Sequence, residues 1–252
     1  MTNMFDQGSG RPIVVIPGVQ GRWEWMRPAL GALSARCRAI SYSLGAARTF
    51  DELVAQVDTV LDRCGTQTAA ICGVSFGGLI AVKYAAARPE RTSALIVVSA
   101  PSPAWTPSPV QARYLASPWR STPAFLASSP GRMWPEIAAA IDSWPSRLRF
   151  CAEHVARIVA APIAPAQMAA RMRLHPGVEL VADCARVRAR TLVITGTPEL
   201  DHVVPAESTC EFVDLIQGAR YTMMDRTGHV GLVTQPDRFG QIVGEFVNAS
   251  SS

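Results

Sequence analysis

Short apolar runs alternate with helical stripes over the first 100 residues, and nothing else in the chain constrains its fold as strongly. Ile13-Val14-Val15-Ile16 is a continuous apolar run closed by Pro17-Gly18, the pattern of a strand covered on both faces. Residues 39–42, 69–74 and 95–98 read as three further strands. Between them, residues 24–35, 50–61 and 79–87 carry helical spacing. In the second of these, Phe50, Leu53, Val54, Val57, Val60 and Leu61 form one stripe, with acidic residues mostly opposite. A strand that is followed by a helix and then by another strand must cross over, so the sheet is expected to be parallel.

The pattern breaks at Pro101. Residues 101–189 hold 12 of the 19 prolines and 4 of the 6 tryptophans (Trp105, Trp119, Trp134 and Trp144). Short helical patterns fit here, clearest over 135–141 and 148–159, and no strand stands out. Alternation resumes with a strand at 191–194, a helix over 206–216, a strand at 221–224 and a helix over 236–247. The simplest organisation is one α/β core, residues 1–100 and 190–252, interrupted by a helical insertion over 101–189.

Composition narrows the class. The chain has 252 residues, 48% apolar and 17% charged, which suits a buried core and argues against disorder. No run approaches the ~18 apolar residues of a membrane span. A net charge of +4 is too weak and scattered for a nucleic-acid footprint. The first ten residues lack the basic stretch and apolar core of a signal peptide. The six cysteines are irregularly spaced without a Cys-x-x-Cys pair, which favours free thiols in a reducing cytoplasm. No metal or other cofactor is implied.

The chemistry centres on Gly73-Val74-Ser75-Phe76-Gly77. A G-x-S-x-G string by itself is weak, expected by chance roughly once in ten chains of this length. Its position between an apolar strand and an Ala-rich helix raises it, because a nucleophile elbow belongs there. A sharp strand-to-helix turn forces the serine into strained backbone and crowds its neighbours two residues away, so both must be glycine.

With these residues the chain resembles the α/β-hydrolase superfamily over nearly its whole length. Ile16-Pro17-Gly18-Val19 is similar to the family's oxyanion loop, although proline stands where the family usually has histidine. The segment 195–205 is similar to the one that carries the acid, and Gly228-His229-Val230 to the one that carries the histidine. The resemblance implies Ser75 as nucleophile, His229 as general base and Asp201 as the acid, in the chain order this fold uses. It implies backbone N–H groups of Val19 and Phe76 as the oxyanion hole. Glu199 and Asp225 are the rival acids; His154, His175 and His202 read as structural or loop histidines.

The resemblance also implies an α/β-hydrolase fold, a mostly parallel sheet of about six strands with helices on both faces and a helical cap. Only 12 residues precede Ile13, so the sheet is expected to be trimmed, with the 39–42 strand at one edge. The expected activity is that of a serine hydrolase, with no cofactor, cleaving an ester or lactone of a small, partly apolar molecule. Thioester cleavage or acyl transfer, carbon–carbon bond hydrolysis, and ligand reception without catalysis are the alternatives on this fold. The insertion carries ten arginines against five acidic residues, which lends some weight to anionic substrates.

Overall fold

The computed structural model describes residues 4–249, so three residues at each end of the expected core lie outside it. Seven strands form one sheet in the order β1-β3-β2-β4-β5-β6-β7: Met4–Gln7, Arg38–Tyr42, Pro12–Ile16, Ala69–Val74, Thr92–Val98, Thr191–Gly196 and Arg220–Met224. Strands β2 to β7 run parallel, and β1 pairs antiparallel with β3.

The 39–42 strand is therefore not an edge, contrary to the sequence reading. The short β1 covers it, with Phe5 turned into the core and Asp6 bridging Arg38 at 2.7 Å. Strand β1 escapes a periodicity search because its four residues bury only one side chain fully. An antiparallel partner also needs no crossover helix to announce it.

Each central strand feeds two cores. Val14 and Ile16 of β2 face one layer, whereas Ile13 and Val15 face the other. Leu95 and Val97 of β5 are likewise opposed to Ala94, Ile96 and Val98. Helices α1 (Arg27–Ser34), α2 (Phe50–Arg63) and α3 (Phe76–Ala87) fill the crossovers of the first half. A 3-10 turn, Trp23–Met26, leads into α1 and takes up part of the stretch expected as helix. Helix α2 starts at Thr49, whose hydroxyl accepts from the Glu52 N–H, a standard N-cap.

Five helices lie between β5 and β6: α4 (Pro109–Ala116), α5 (Pro118–Ala140), α6 (Trp144–Ala160), α7 (Pro165–Arg173) and α8 (Leu180–Arg186). Helix α5 runs unbroken through Pro123, Pro130 and Pro135, where short separate helices were expected. Helix α8 turns back to the sheet and packs on α3, with Lys83 3.4 Å from Asp183. The remaining helices are α9 (Ala206–Leu215), α10 (Gly231–Thr234) and α11 (Pro236–Asn248).

Helices α1 and α11 cover one face of the sheet with Leu30, Leu33, Phe239 and Val243. Helices α2, α3, α8 and α9 cover the other. Among the described residues no helix is long and apolar enough to cross a membrane. All six cysteines are free, and Cys37, Cys72 and Cys184 are buried.

Candidate active site

The chemistry-bearing residues all follow the carboxyl ends of parallel strands, where an α/β sheet offers a crevice. Ser75 sits between β4 and α3 with φ 53° and ψ −126°, a backbone region that a side chain rarely occupies. The flanking glycines are required by contact. A Cβ on Gly73 would lie 2.2 Å from the Gly77 carbonyl oxygen, and one on Gly77 would lie 2.4 Å from that of Ile16. The Ser75 N–H donates to Val98 at 2.8 Å, and its carbonyl accepts from Gly78 at 2.8 Å, which fixes the turn.

The loop after β2 passes the serine closely: a Cβ on Gly18 would be 3.3 Å from the Ser75 Cβ. Gly21, at φ 70°, closes the loop by donating to the Gly18 carbonyl at 2.8 Å. The N–H groups of Val19 and Phe76 donate to no protein acceptor among the described residues. Phe76 also opens α3, whose N-terminal dipole end favours negative charge.

Asp201 and His229 meet. Asp201 Oδ2 lies 3.2 Å from His229 Nδ1. The other oxygen, Oδ1, accepts from the Val203 N–H at 3.0 Å and the Val204 N–H at 2.9 Å. Both side chains are largely buried, which strengthens their interaction. The two loops touch because Gly228 has no side chain: a Cβ there would sit 2.3 Å from the Leu200 carbonyl oxygen. Thr197 adds a backbone bond to Thr227 at 2.7 Å. The rival acids, Glu199 and Asp225, are exposed and make no contact with His229. Ser75 makes no hydrogen bond to His229 in this conformation.

The other histidines sit elsewhere. His154 stacks on Phe150 with centroids 5.7 Å apart, and burial lowers its pKa. His175 lies edge-on to Trp105 at 5.3 Å, and burial lowers its pKa as well. His202 is exposed. Of the four tryptophans in the insertion, Trp119, Trp134 and Trp144 are exposed, and Trp134 and Trp144 pack edge to face with centroids 5.4 Å apart. The loop after β2 is covered by a small apolar cluster, Tyr114, Met168 and Met172, against the Val19 side chain. A cleft of about 560 Å³, lined by Arg48, Lys83, Arg173, Asp183 and Arg186 among others, does not include Ser75, Asp201 or His229.

Two residues that the sequence did not single out reach the site from the inserted helices. Arg171 of α7 donates to the carbonyls of Val19 at 2.9 Å and Leu44 at 2.5 Å. Its burial, with Arg22 nearby, pulls its pKa down to about 10. Glu136 of α5 accepts from the Val230 N–H at 3.1 Å, next to His229. Burial pushes its pKa up to about 7, against opposing pulls from the Val230 and Gly228 amides and from His229.

The chain matches the description of the Alpha/beta hydrolase family over residues 13–242 and belongs to that family. It is similar to a 2-hydroxymuconate semialdehyde hydrolase of Pseudomonas sp. strain CF600, at 28% identity over 98% of this chain and 90% of that protein. A protein assigned as a carbamate hydrolase from Azorhizobium caulinodans is 32% identical over 101 residues. That similarity spans only 36% of this chain and 38% of the relative. Among solved structures, the enol-lactonase from Burkholderia xenovorans LB400 superposes with a TM-score of 0.81. The match covers 98% of this chain and 96% of that one at 20% identity, a likeness of fold. The chain is thus an enzyme of the α/β-hydrolase type.

Proposed function

We propose that this enzyme is a serine hydrolase that cleaves a carboxylic ester or lactone through an acyl-enzyme, with Ser75, His229 and Asp201 as its triad. The observation that carries the reading is the Asp201–His229 contact at 3.2 Å, together with a serine held at φ 53° after a neighbouring part of the same sheet. A serine hydroxyl is a weak nucleophile until a base takes its proton. His229 takes that proton as Oγ bonds to the acyl carbon and the carbonyl π electrons move to oxygen. Asp201, on Nδ1, selects the tautomer with Nε2 free and stabilises the imidazolium.

The oxyanion is held by the N–H groups of Val19 and Phe76. When the intermediate collapses, the imidazolium returns its proton to the departing alkoxide. Water, deprotonated by His229, then releases the acid and restores the serine. The helices over 101–189 act as a cap. The Tyr114–Met168 cluster above Val19 supports an acyl group that is at least partly apolar. Six free cysteines support a reducing compartment such as the cytoplasm.

A second reading, hydrolysis of a carbon–carbon bond in a dienoate or diketone, is favoured by the full-length similarity to the 2-hydroxymuconate semialdehyde hydrolase. One experiment separates the readings. The purified protein is labelled with a fluorophosphonate, then assayed on p-nitrophenyl esters of two to six carbons, an aryl lactone and 2-hydroxymuconate semialdehyde. Labelling at Ser75, with ester or lactone turnover that rises with chain length, is expected. Turnover of the semialdehyde alone would move the second reading ahead, and absence of labelling would remove the serine mechanism.

A further inference from the structure

The His229 loop is held from above as well as from the sheet. Its Val230 N–H donates to Glu136 Oε2 at 3.1 Å, from a residue 94 positions away on α5. Three residues before His229, Arg226 donates through Nε to the Ala139 carbonyl at 2.8 Å and pairs with Asp142. Helix α5 therefore grips the loop on both sides of the histidine. Glu136 is fully buried, and its second oxygen, Oε1, has no hydrogen-bond partner. A buried carboxyl that is half satisfied is a costly feature for a purely structural clamp, since a glutamine or an apolar residue would avoid the burial of a charge.

The groups that face Glu136 explain what the charge can do. His229 attracts its anion and Asp201 repels it. The nearby cations are engaged elsewhere: Arg226 on Asp142 and Ala139, Arg147 on the Ala138 and Ile141 carbonyls, and Arg171 of α7 on Val19 and Leu44. Arg173 of α7 bonds the Leu115 carbonyl, and Arg132 bonds Ser129 a turn earlier on α5. Helix α10, which follows the loop, carries no ionisable side chain. The positive charge that Glu136 can meet is thus the imidazolium of His229.

We propose that Glu136 is a positioning residue for the reaction, anchoring the His229 loop through the Val230 amide and placing a second negative charge where the imidazolium forms. The inference rests on the serine-hydrolase reading for its catalytic consequence; the Glu136–His229 coupling rests on the Val230 hydrogen bond, which seats the carboxyl next to the histidine, and on the attraction between the two charges. The cap then does more than cover the site: whether α5 is seated decides whether the base is supported. Ionised Glu136 supports the imidazolium formed when Ser75 gives up its proton, and protonated Glu136 does not. Its carboxyl titrates near neutrality, so the support arrives as pH rises through about 7.

The test is Glu136→Gln, which keeps an oxygen for the Val230 N–H and removes the charge. With p-nitrophenyl butyrate at pH 8, kcat is expected to fall about tenfold with KM changed less than twofold. The His229 ring signal in labelled protein, assigned through His229→Gln, is read alongside. In the wild type it is expected to report the Glu136 proton as a second, coupled step, and in Glu136→Gln that step is absent. Equal kcat and an unchanged ring titration in Glu136→Gln would overturn the proposal. So would a lower kcat with an unchanged titration, which marks a clamp without electrostatic action. If the variant does not fold, the wild-type titration decides, a single step being the adverse result. If the wild type is neither labelled by fluorophosphonate nor active, the serine mechanism fails separately, and the ring titration still judges the coupling.

Discussion

The guanidinium of Arg171, on an inserted helix, donates to the carbonyl of Val19 on the loop after β2 at 2.9 Å, across 152 residues of sequence. The same group reaches Leu44, so one side chain ties α7 to the loops after β2 and β3. Gly21 makes room for it, since a Cβ there would lie 2.4 Å from Arg171 Nη1.

Arg171→Ala leaves the buried Leu44 carbonyl and the part-buried Val19 carbonyl without this donor and is expected to cost about 2–3 kcal/mol of unfolding free energy. A lysine cannot span both carbonyls in a planar fork, so Arg171→Lys should cost roughly half as much. Urea denaturation measures both. Esterase assays should show kcat lowered at least tenfold in Arg171→Ala, because a displaced loop mis-aims the Val19 N–H. Wild-type stability in Arg171→Ala would mean that the carbonyls find other partners.

The elbow stores strain that can be released. At φ 53° and ψ −126°, a non-glycine residue carries about 1–3 kcal/mol, against roughly 0.5–1 kcal/mol of added chain entropy for glycine. Ser75→Gly is therefore expected to abolish turnover and to raise stability by about 1 kcal/mol. Ser75→Ala should abolish turnover with stability near the wild type. A Ser75→Gly protein less stable than Ser75→Ala would contradict the strain argument.

Asp201 and Glu199 are near neighbours in sequence, and their surroundings differ. Glu199 lies on an exposed 3-10 turn, whereas Asp201 is buried against His229. Asp201→Asn can still accept from Val203 and Val204, but it loses the charge that stabilises the imidazolium. Its kcat is expected to fall by about three to four orders of magnitude, while Glu199→Gln stays within threefold. Equal losses in the two variants would displace Asp201 from the triad.

How much of this was legible in the sequence follows from the range of each interaction. The elbow is mostly local: Gly73 answers the Gly77 carbonyl one turn on, and the strand before it and helix after it made the spacing readable, although Gly77 answers the Ile16 carbonyl on β2. The central strands were legible because both of their faces are apolar. Strand β1 buries one residue fully and left no such mark. Helix α5 was read in fragments because prolines remove amide donors, yet it continues through three of them. Glu136 and Arg171 carry no local signature, since their partners are backbone groups of loops folded in from far along the chain. Trp119, Trp134 and Trp144 are exposed, and residue type says nothing of which helix face meets solvent.

Glu136 makes stability depend on pH with a definite sign. Its folded pKa of about 7 lies above the ordinary glutamate value near 4.5, so the folded state binds the proton more tightly. The stabilisation from that proton is complete below about pH 4.5 and is lost as pH rises through about 7. At pH 8 the wild type carries the full cost of burying the anion, about 3 kcal/mol for a displacement of this size. Glu136→Gln has no proton to lose. Its stability relative to the wild type should therefore climb by up to that amount between pH 5 and 8, read as unfolding free energy in urea at each pH. The gain should coincide with the fall in kcat, because the anion that destabilises the fold is the one that supports His229. A stability difference that stays flat from pH 5 to 8 would mean that folding does not carry the Glu136 proton into this range, and the pH-dependent support of His229 would fall with it.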